Sequence, residues 1–252
     1  MSIEEKYDKA EKFYMNGDYD RALYLFKEIL NEQETTDCLN YIGCCYLQLE
    51  DYASAQYTFQ KLIASEPEWE RPVLNLGRVY LQSGRYNKAL VCLKKAYNMN
   101  SSNEDILYYL GNYYSKIENY ALAINYYEKS IKINNEQSEA HLNLGKCYFK
   151  LDKIEQALKE FDMAYKYDDN CFDAIYNKGI VLASLHRYQE ALEYLNIFYN
   201  KYPNNTDIMI DIAHCLNRIG ENDVAINMIK KALEIDLKND VANKLLKRID
   251  LK

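Results

Sequence analysis

The stretch VLNLGRVYLQSGRYNKALVCLKKAYNMN, residues 73–100, decides the fold of this chain. Its first half places apolar or small residues at spacings of three, four and seven, which is the pattern of one helix face. Residues 83–85, Ser-Gly-Arg, interrupt that pattern, and the second half then resumes it. The stretch therefore predicts a helix, a tight turn and an antiparallel helix. The residues of the two faces are Val73, Leu76, Gly77 and Tyr80, then Tyr86, Ala89, Leu93 and Ala96.

The same pattern recurs along the chain at a period of 34 residues. Glycine inside a helix costs about 1 kcal/mol relative to alanine, so its recurrence at one register needs a compensating gain. Close approach of two helices supplies it, with glycine on the first helix facing alanine on the second. A single helix pair cannot bury both of its faces, so the pairs are expected to stack. The two ladders are Gly43, Gly77, Gly111, Gly145, Gly179 and Ala213, and Ala55, Ala89, Ala123, Ala157, Ala191 and Ala225.

These positions resemble the tetratricopeptide repeat family. The resemblance rests on Leu76-Gly77-x-x-Tyr80 and Gly84-x-Tyr86-x-x-Ala89, and it covers nearly the whole chain. It implies an all-α fold, a right-handed superhelical solenoid of about seven helix-turn-helix units. The chain departs from the family where a tryptophan is expected near the start of each unit. Those positions hold Leu39, Val73, Leu107, His141, Ile175 and Met209.

No stretch is long enough to act as a linker between domains, so the repeats are predicted to form one solenoid domain, residues 1–252. After the last repeat, Val241, Leu245 and Ile249 form an apolar stripe, which predicts a capping helix over about 239–250. The first unit has no such cap, so its outer face is either polar or covered by a partner, and Asp8, Glu11 and Lys12 favour a polar face. The predicted units cover about 3–35, 36–69, 70–103, 104–137, 138–171, 172–205 and 206–238.

Charge and cysteine content narrow the function classes. The net charge of -7 disfavours general binding to nucleic acid or an anionic membrane, because both need a basic face. No stretch approaches about 18 consecutive apolar residues, so no membrane insertion is expected. The start has no apolar segment of signal-peptide length, and the seven cysteines include no CxxC motif. These features predict a reducing, cytoplasmic location.

Catalytic motifs are absent from the sequence. His141, His186 and His214 fall in three different units and have no metal-ligand spacing. No glycine-rich phosphate loop and no GxSxG motif occurs. We therefore expect no enzyme activity, no metal and no cofactor, and we interpret His141 as a structural histidine.

The cysteines are interpreted mainly as small buried residues. Cys45, Cys147 and Cys215 share one register, two residues after the glycine ladder. Cys44 falls one residue earlier and is expected to face the inner surface. It is therefore predicted to be the most reactive thiol.

The resemblance also implies where a partner would bind. In this family the first helix of each pair lines a concave groove. Asparagine can pair with a peptide backbone, arginine and lysine can hold a carboxylate, and tyrosine adds apolar contact with a polar tip. The family's chaperone-tail clamp is not matched, so binding of a chaperone tail is not predicted. The candidate groove residues are Asn75, Arg78, Tyr109, Asn112, Lys116, Asn143, Lys146, Lys150 and Asn177.

The leading hypothesis is a non-enzymatic scaffold or adaptor that binds a peptide or helical segment in its concave groove. The groove acids are mainly Asp105 and Glu139, and its basic residues outnumber them, so an acidic or carboxylate-ended partner is expected. The basic residues are Arg71, Arg78, Lys116, Lys146 and Lys150. Two alternatives stay open. The chain assembles with itself as a structural homo-oligomer, or it serves as the regulatory subunit of an enzyme complex.

Overall fold

The computed structural model describes residues 2–33 and 35–250, and all regular secondary structure in those ranges is α-helical. The predicted all-α fold is thereby confirmed. Fifteen helices follow one another with short turns between them in this described part of the chain. They are α1 (Ile3–Met15), α2 (Tyr19–Glu32), α3 (Thr36–Gln48), α4 (Tyr52–Ser65), α5 (Glu70–Gln82), α6 (Tyr86–Met99), α7 (Glu104–Lys116), α8 (Tyr120–Ile133), α9 (Ser138–Lys150), α10 (Ile154–Tyr167), α11 (Phe172–Ser184), α12 (Tyr188–Lys201), α13 (Thr206–Arg218), α14 (Asn222–Ile235) and α15 (Asp240–Asp250).

The helices group into two compact units, residues 1–119 and 120–252, called unit 1 and unit 2 below. In unit 1, each helix from α1 to α7 packs on the next, and α5 also touches both α3 and α7. In unit 2, each helix from α8 to α15 packs on the next, with further contacts of α9 with α11 and of α13 with α15. The odd-numbered helices up to α13 are the first helices of the predicted pairs, and the contacts of α5 with α3 and α7 and of α9 with α11 set these first helices side by side. A single domain over 1–252 stays a prediction.

The glycine ladder marks close contact between the two helices of a pair, and side chains of the second helix take part in it besides the predicted alanines. A Cβ atom added to Gly145 would lie 2.7 Å from Phe161 Cε1 and 3.2 Å from the carbonyl oxygen of Ala157. A Cβ on Gly43 would lie 2.6 Å from Phe59 Cε1. The space of the missing side chain is therefore filled by an aromatic ring of the second helix. At Gly145 the predicted partner Ala157 is also in close contact, through its backbone oxygen, whereas at Gly43 the three nearest atoms all belong to Phe59.

The turn inside each helix pair places one residue in the left-handed region of backbone conformation. Glycine adopts this conformation freely, whereas other residues pay about 1 kcal/mol or more. The position is held by Gly17, Gly84 and Gly220 at φ of 78°, 72° and 93°. In the other pairs it is held by Glu50, Glu118, Asp152 and His186, at φ between 58° and 61°. Helix packing therefore imposes this turn even where the residue does not favour it.

The C-terminal helix α15 covers the last pair, but its apolar stripe differs from the predicted one. Ala242, Leu245 and Ile249 are buried in a core with residues of α13 and α14. Val241, predicted to belong to the stripe, is 61% exposed. The buried stripe starts one residue later than predicted. The last segment has too few turns for its sequence pattern to fix the helical register.

At the other end of the chain, α1 begins with a capping box. The Ser2 hydroxyl accepts a hydrogen bond from the Glu5 amide at 3.1 Å, and the Ser2 amide donates to Glu5 Oε2 at 2.7 Å. Tyr7 and Phe13 pack inward on the core of α1, α2 and α3. The exposed side of α1 carries charged residues, which agrees with the expected polar face: Glu4, Glu5, Asp8, Lys9 and Lys12.

The three cysteines of the shared register are buried, as predicted. Cys215 is 1% exposed, and burial raises its pKa to about 11. Burial likewise raises the pKa of Cys45 to about 12. Both thiols are therefore protonated in the folded chain at neutral pH and behave as small apolar residues.

Alkaline pH is expected to destabilise the fold through these thiols. An exposed thiol in the unfolded chain ionises near pH 9, whereas Cys215 in the folded chain stays protonated to about pH 11. The unfolded state thus loses its proton first, so the free energy of unfolding falls as pH rises between these values. Cys215 alone is expected to contribute a loss of about 1 kcal/mol at pH 10. Urea unfolding of the wild type and of Cys215→Ala at pH 8 and pH 10 measures this loss. Equal pH slopes for the two chains would contradict it.

Candidate functional site

Unit 1 contains a polar pocket on the exposed face of its first helices. Its volume is about 280 Å³. The packing of α3 on α5 and of α5 on α7 sets these helices side by side, so each contributes a row of side chains. The pocket, called the Arg78 pocket below, is lined by Tyr14, Asn40, Tyr41, Cys44, Arg71, Leu74, Asn75, Arg78, Asn103, Asp105 and Tyr109.

The guanidinium group of Arg78 is the central feature of this pocket. Its Cζ lies 4.7 Å from the centre of the Tyr109 ring, a cation–π contact between α5 and α7. Its Nη1 donates a hydrogen bond to Asn75 Oδ1 at 2.9 Å. The Nε atom is buried and has no hydrogen-bond partner within the described residues. A buried N–H group without a partner lowers the stability of the fold by about 1–3 kcal/mol, so such donors are rare in native proteins.

Asn75 holds Arg78 in place through a short chain of hydrogen bonds. Asn75 is 3% exposed, and its Nδ2 donates to Asn40 Oδ1 at 2.9 Å and to Cys44 Sγ at 3.5 Å. These bonds orient the amide so that its oxygen faces Arg78. The structure thus gives Asn75 a role in positioning Arg78, and the direct pairing of Asn75 with a peptide backbone stays a prediction.

The electrostatics of the Arg78 pocket favour an anion. Burial works to lower the pKa of Arg78, but its electrostatic interactions, led by that with Tyr109, outweigh burial and hold the pKa above the ordinary arginine value. The guanidinium therefore remains charged. Arg71 stands exposed at the rim as a second cation, and Asp105 is the acidic residue among the lining groups.

The wall opposite α7 comes from α1, which the sequence did not connect with the groove. The Tyr14 ring packs edge-on against Tyr41 with the ring centres 5.4 Å apart, and the Tyr41 hydroxyl donates to Glu11 Oε1 at 2.7 Å. Burial raises the pKa of Tyr14 well above its usual value, so the phenol stays neutral. Leu74 and Asn103 are further lining residues missing from the predicted set. The sequence positions predicted to face the groove in later repeats have equivalents in the first repeat. Counting back to them would have pointed to the end of α1, where Tyr14 lies.

Cys44 faces the inner surface, as predicted, and lines the Arg78 pocket. It is only 7% exposed, and burial raises its pKa. Reactivity follows the thiolate form, which burial disfavours. The structure therefore argues against Cys44 as the most reactive thiol. Burial raises the pKa of Cys92 as well, so the partly exposed Cys171 is the better candidate.

Three of the nine predicted groove residues meet in the Arg78 pocket: Asn75, Arg78 and Tyr109. The others do not line it. In unit 1, Asn112 is half-buried and Lys116 is exposed, both on α7. In unit 2, α9 carries the half-buried Asn143 and Lys146 and the exposed Lys150, and α11 carries Asn177, whose Nδ2 donates to the Asp173 carbonyl oxygen of its own helix at 2.7 Å.

His141 is a structural histidine, as interpreted from the sequence. It is 4% exposed, and its ring stacks on Tyr167 at 5.4 Å between centres. Nδ1 lies 2.6 Å from Glu160 Oε2, and Nε2 lies 3.1 Å from the carbonyl oxygen of Asn135. Within the part of the chain that the structure describes, no group of three or more metal-ligating side chains comes together. Nor does any helix there combine the length and apolar character needed to cross a membrane.

Profiles described as tetratricopeptide repeat match residues 46–96, 142–206 and 206–239. A profile described as anaphase-promoting complex, cyclosome, subunit 3, matches residues 82–164. No curated protein matches this chain in sequence.

Solved structures of similar fold include a chain of the APC/C hetero-tetramer Cut9-Hcn1, with a TM-score of 0.81 and 19% identity over 95% of this chain. This chain spans about half of that relative's length, 48%. Pseudomonas aeruginosa pilF gives a TM-score of 0.76 and 17% identity, covering 84% of this chain and 97% of its own. YrrB, described as a TPR protein with an unusual peptide-binding site, gives 0.63 and 24% identity, covering 75% and 97%.

The repeat profiles, the stacked helix pairs and the structural neighbours agree with the periodicity of the sequence. The fold is an all-α solenoid, as predicted. The chain belongs to the tetratricopeptide repeat family.

Proposed function

We propose that this chain is a non-enzymatic scaffold that binds an acidic or carboxylate-ended segment of a partner protein in the Arg78 pocket. Proteins with this fold generally serve as non-catalytic scaffolds that bind proteins or peptides. The proposal adds a place and a chemistry to that general role. It assigns the anchoring contact to Arg78, with Arg71 at the rim and Tyr109 as the surface on which the guanidinium is held.

The observation that carries the proposal is the buried Arg78 Nε without a partner. Arginine presents Nε and one Nη as a fork that matches the two oxygens of a carboxylate. Nη1 is already used by Asn75, and the cation–π contact fixes the plane of the group. A partner carboxylate that enters the pocket would pair with the charged guanidinium at little cost in side-chain entropy, since Arg78 is already ordered. Bonding to the buried Nε would in addition require its neighbours to move aside.

The other predicted groove residues are proposed as further contacts to a bound segment, those of unit 1 and those of unit 2 each considered by themselves. Asn112 and Lys116 would contact a bound segment along α7. In unit 2, the half-buried Asn143 and Lys146 would act in the same way along α9, with Lys150 and Asn177 as weaker contacts because the former is exposed and the latter bonds its own helix.

The binding prediction is that Arg78→Met weakens binding of acidic peptides by about ten- to a hundredfold. This corresponds to the loss of one charge-assisted hydrogen bond, about 1.5–3 kcal/mol. A peptide-display library is selected on the wild-type chain, and the affinity of the enriched peptides is measured by fluorescence anisotropy. Enrichment of Asp, Glu or free C-termini is expected.

The matched control is Arg21→Met, which removes the same charge from an arginine on α2 that is exposed and pairs with Asp18. It is expected to bind the enriched peptides like the wild type. The proposal is overturned if Arg78→Met selects the same peptides with the same affinity, or if the selected peptides carry no acidic group.

A further inference from the structure

A second groove lies in unit 2, between α12 and the turn that joins α13 to α14. Its volume is about 410 Å³. Half of its lining is apolar, and the charged residues in it are Glu193 and Glu221. Both acidic side chains are exposed, and neither forms an ion pair within the described residues. We call this the acidic groove, and it is lined by Gln189, Leu192, Glu193, Asn196, Leu216, Ile219, Glu221 and Val224.

The outer side of α15 and the turn before it has the opposite character. Leu237 is 80% exposed and Val241 is 61% exposed, which places both among the most exposed large apolar residues described. Val241, Lys244 and Arg248 follow one another at spacings of three and four, so they form one stripe along the helix. Lys238 and Lys247 add positive charge beside it, and both are exposed. We call residues 237–248 the basic ridge.

The two surfaces are complementary in both charge and apolar character. The acidic groove offers Ile219 and Val224, 38% and 47% exposed, in a lining that also holds its two carboxylates. The basic ridge offers two exposed apolar side chains next to cations at helical spacing. Lys244 and Arg248 have no ion-pair partner among the described residues. Charge complementarity of this kind steers association and fixes register.

We propose that the acidic groove binds the basic ridge of a second copy of this chain. Leu237 and Val241 would pack on Ile219 and Val224, while Lys244 and Arg248 would face Glu193 and Glu221. Because one unit carries both surfaces, two copies can exchange the contact reciprocally, and the contact then closes on itself with two-fold symmetry. The predicted association is weakened by salt, since its charges are exposed to solvent.

Charge reversal tests the proposal on the full chain. Two double variants are made: Glu193→Lys with Glu221→Lys, and Lys244→Glu with Arg248→Glu. Each alone is expected to raise the dissociation constant of self-association at least tenfold, measured by sedimentation velocity across a range of protein concentrations. An equimolar mixture of the two variants is expected to associate again, because each groove then meets a ridge of opposite charge.

Association of the mixed variants would show that each variant alone failed to associate because the specific contact was broken, and not because its net charge changed or it misfolded. All four changed side chains are exposed, so circular dichroism and melting curves are expected to match the wild type. A wild-type chain that stays monomeric at all concentrations would overturn the proposal, as would a mixture that fails to associate. The Arg78→Met chain is expected to associate normally, so failure of the peptide-binding proposal leaves this test unaffected.

Discussion

Replacing Gly145 with leucine is expected to lower the free energy of unfolding by about 3 kcal/mol, the upper range for overpacking a core. Even a single Cβ at this position would lie 2.7 Å from the Phe161 ring and 3.2 Å from the backbone oxygen of Ala157. The backbone oxygen cannot turn away as a side chain can, so α9 and α10 must separate. The loss is expected despite the better helix propensity of leucine. Urea unfolding followed by circular dichroism measures it.

Two further variants make this test specific. Gln156→Leu on the exposed side of α10 adds the same side chain without a clash and is expected to change stability by less than about 0.5 kcal/mol. Phe161→Ala alone is expected to cost about 3–5 kcal/mol. When Gly145→Leu and Phe161→Ala are combined, the leucine occupies part of the space of the lost ring. The loss of unfolding free energy in this double variant should therefore be smaller than the sum of the losses in the two single variants. An unchanged unfolding curve for Gly145→Leu would refute the close-packing explanation of the glycine ladder.

Replacing His141 with leucine is expected to lower the free energy of unfolding by about 3 kcal/mol. The substitution leaves the Glu160 carboxylate, whose side chain is 14% exposed, without the imidazole 2.6 Å away. It also removes the partner of the Asn135 carbonyl oxygen. Breaking one side of a buried pair is costly because an uncompensated charge remains, and the estimate takes the low end of the range since Glu160 keeps some access to water.

The control removes the partner as well. His141→Leu combined with Glu160→Leu is expected to regain most of the lost stability, since a buried pair can often be replaced by apolar residues at little cost. Leucine, valine, isoleucine or methionine occupies the position of His141 in other repeats, as at Leu107 and Ile175. Thermal and urea unfolding of the three chains measure the coupling. If the single and double variants are equally stable, the Glu160 carboxylate does not need the imidazole of His141 to be tolerated in the fold.

The helix pairs were predictable because each was supported by several repeats. A single repeat has ambiguous boundaries, but a period of 34 residues recurring along the chain averages out a local departure such as His141. The terminal helix α15 has no equivalent in the other repeats, and there the predicted stripe was wrong by one residue at Val241. The Phe161 ring opposite Gly145 was not predicted, since a periodic pattern gives which face is buried and not which atoms meet.

The candidate site was less predictable than the fold. Three of the predicted groove residues line one pocket. Asn75 and Tyr109 are 34 residues apart and lie at equivalent positions on neighbouring first helices, and Arg78 lies one turn after Asn75 on α5. Tyr14 was missed because the candidate groove residues were all taken from later repeats, whereas Tyr14 lies on α1 in the first. The hydrogen bonds that consume the Asn75 amide also could not be read from spacing, because they depend on side-chain conformations across two helices.

The packing of each helix on its sequence neighbours also bears on how the chain folds. Within each unit, helices touch the next one or the next but one along the chain. Contact order is therefore low, and chains of low contact order fold fast because little loop-closure entropy precedes the first favourable contacts. During synthesis, each helix pair can find its packing partners soon after it leaves the ribosome. The exposed edge of a nascent repeat is thus covered by the next segment to emerge, which limits the time in which it could aggregate.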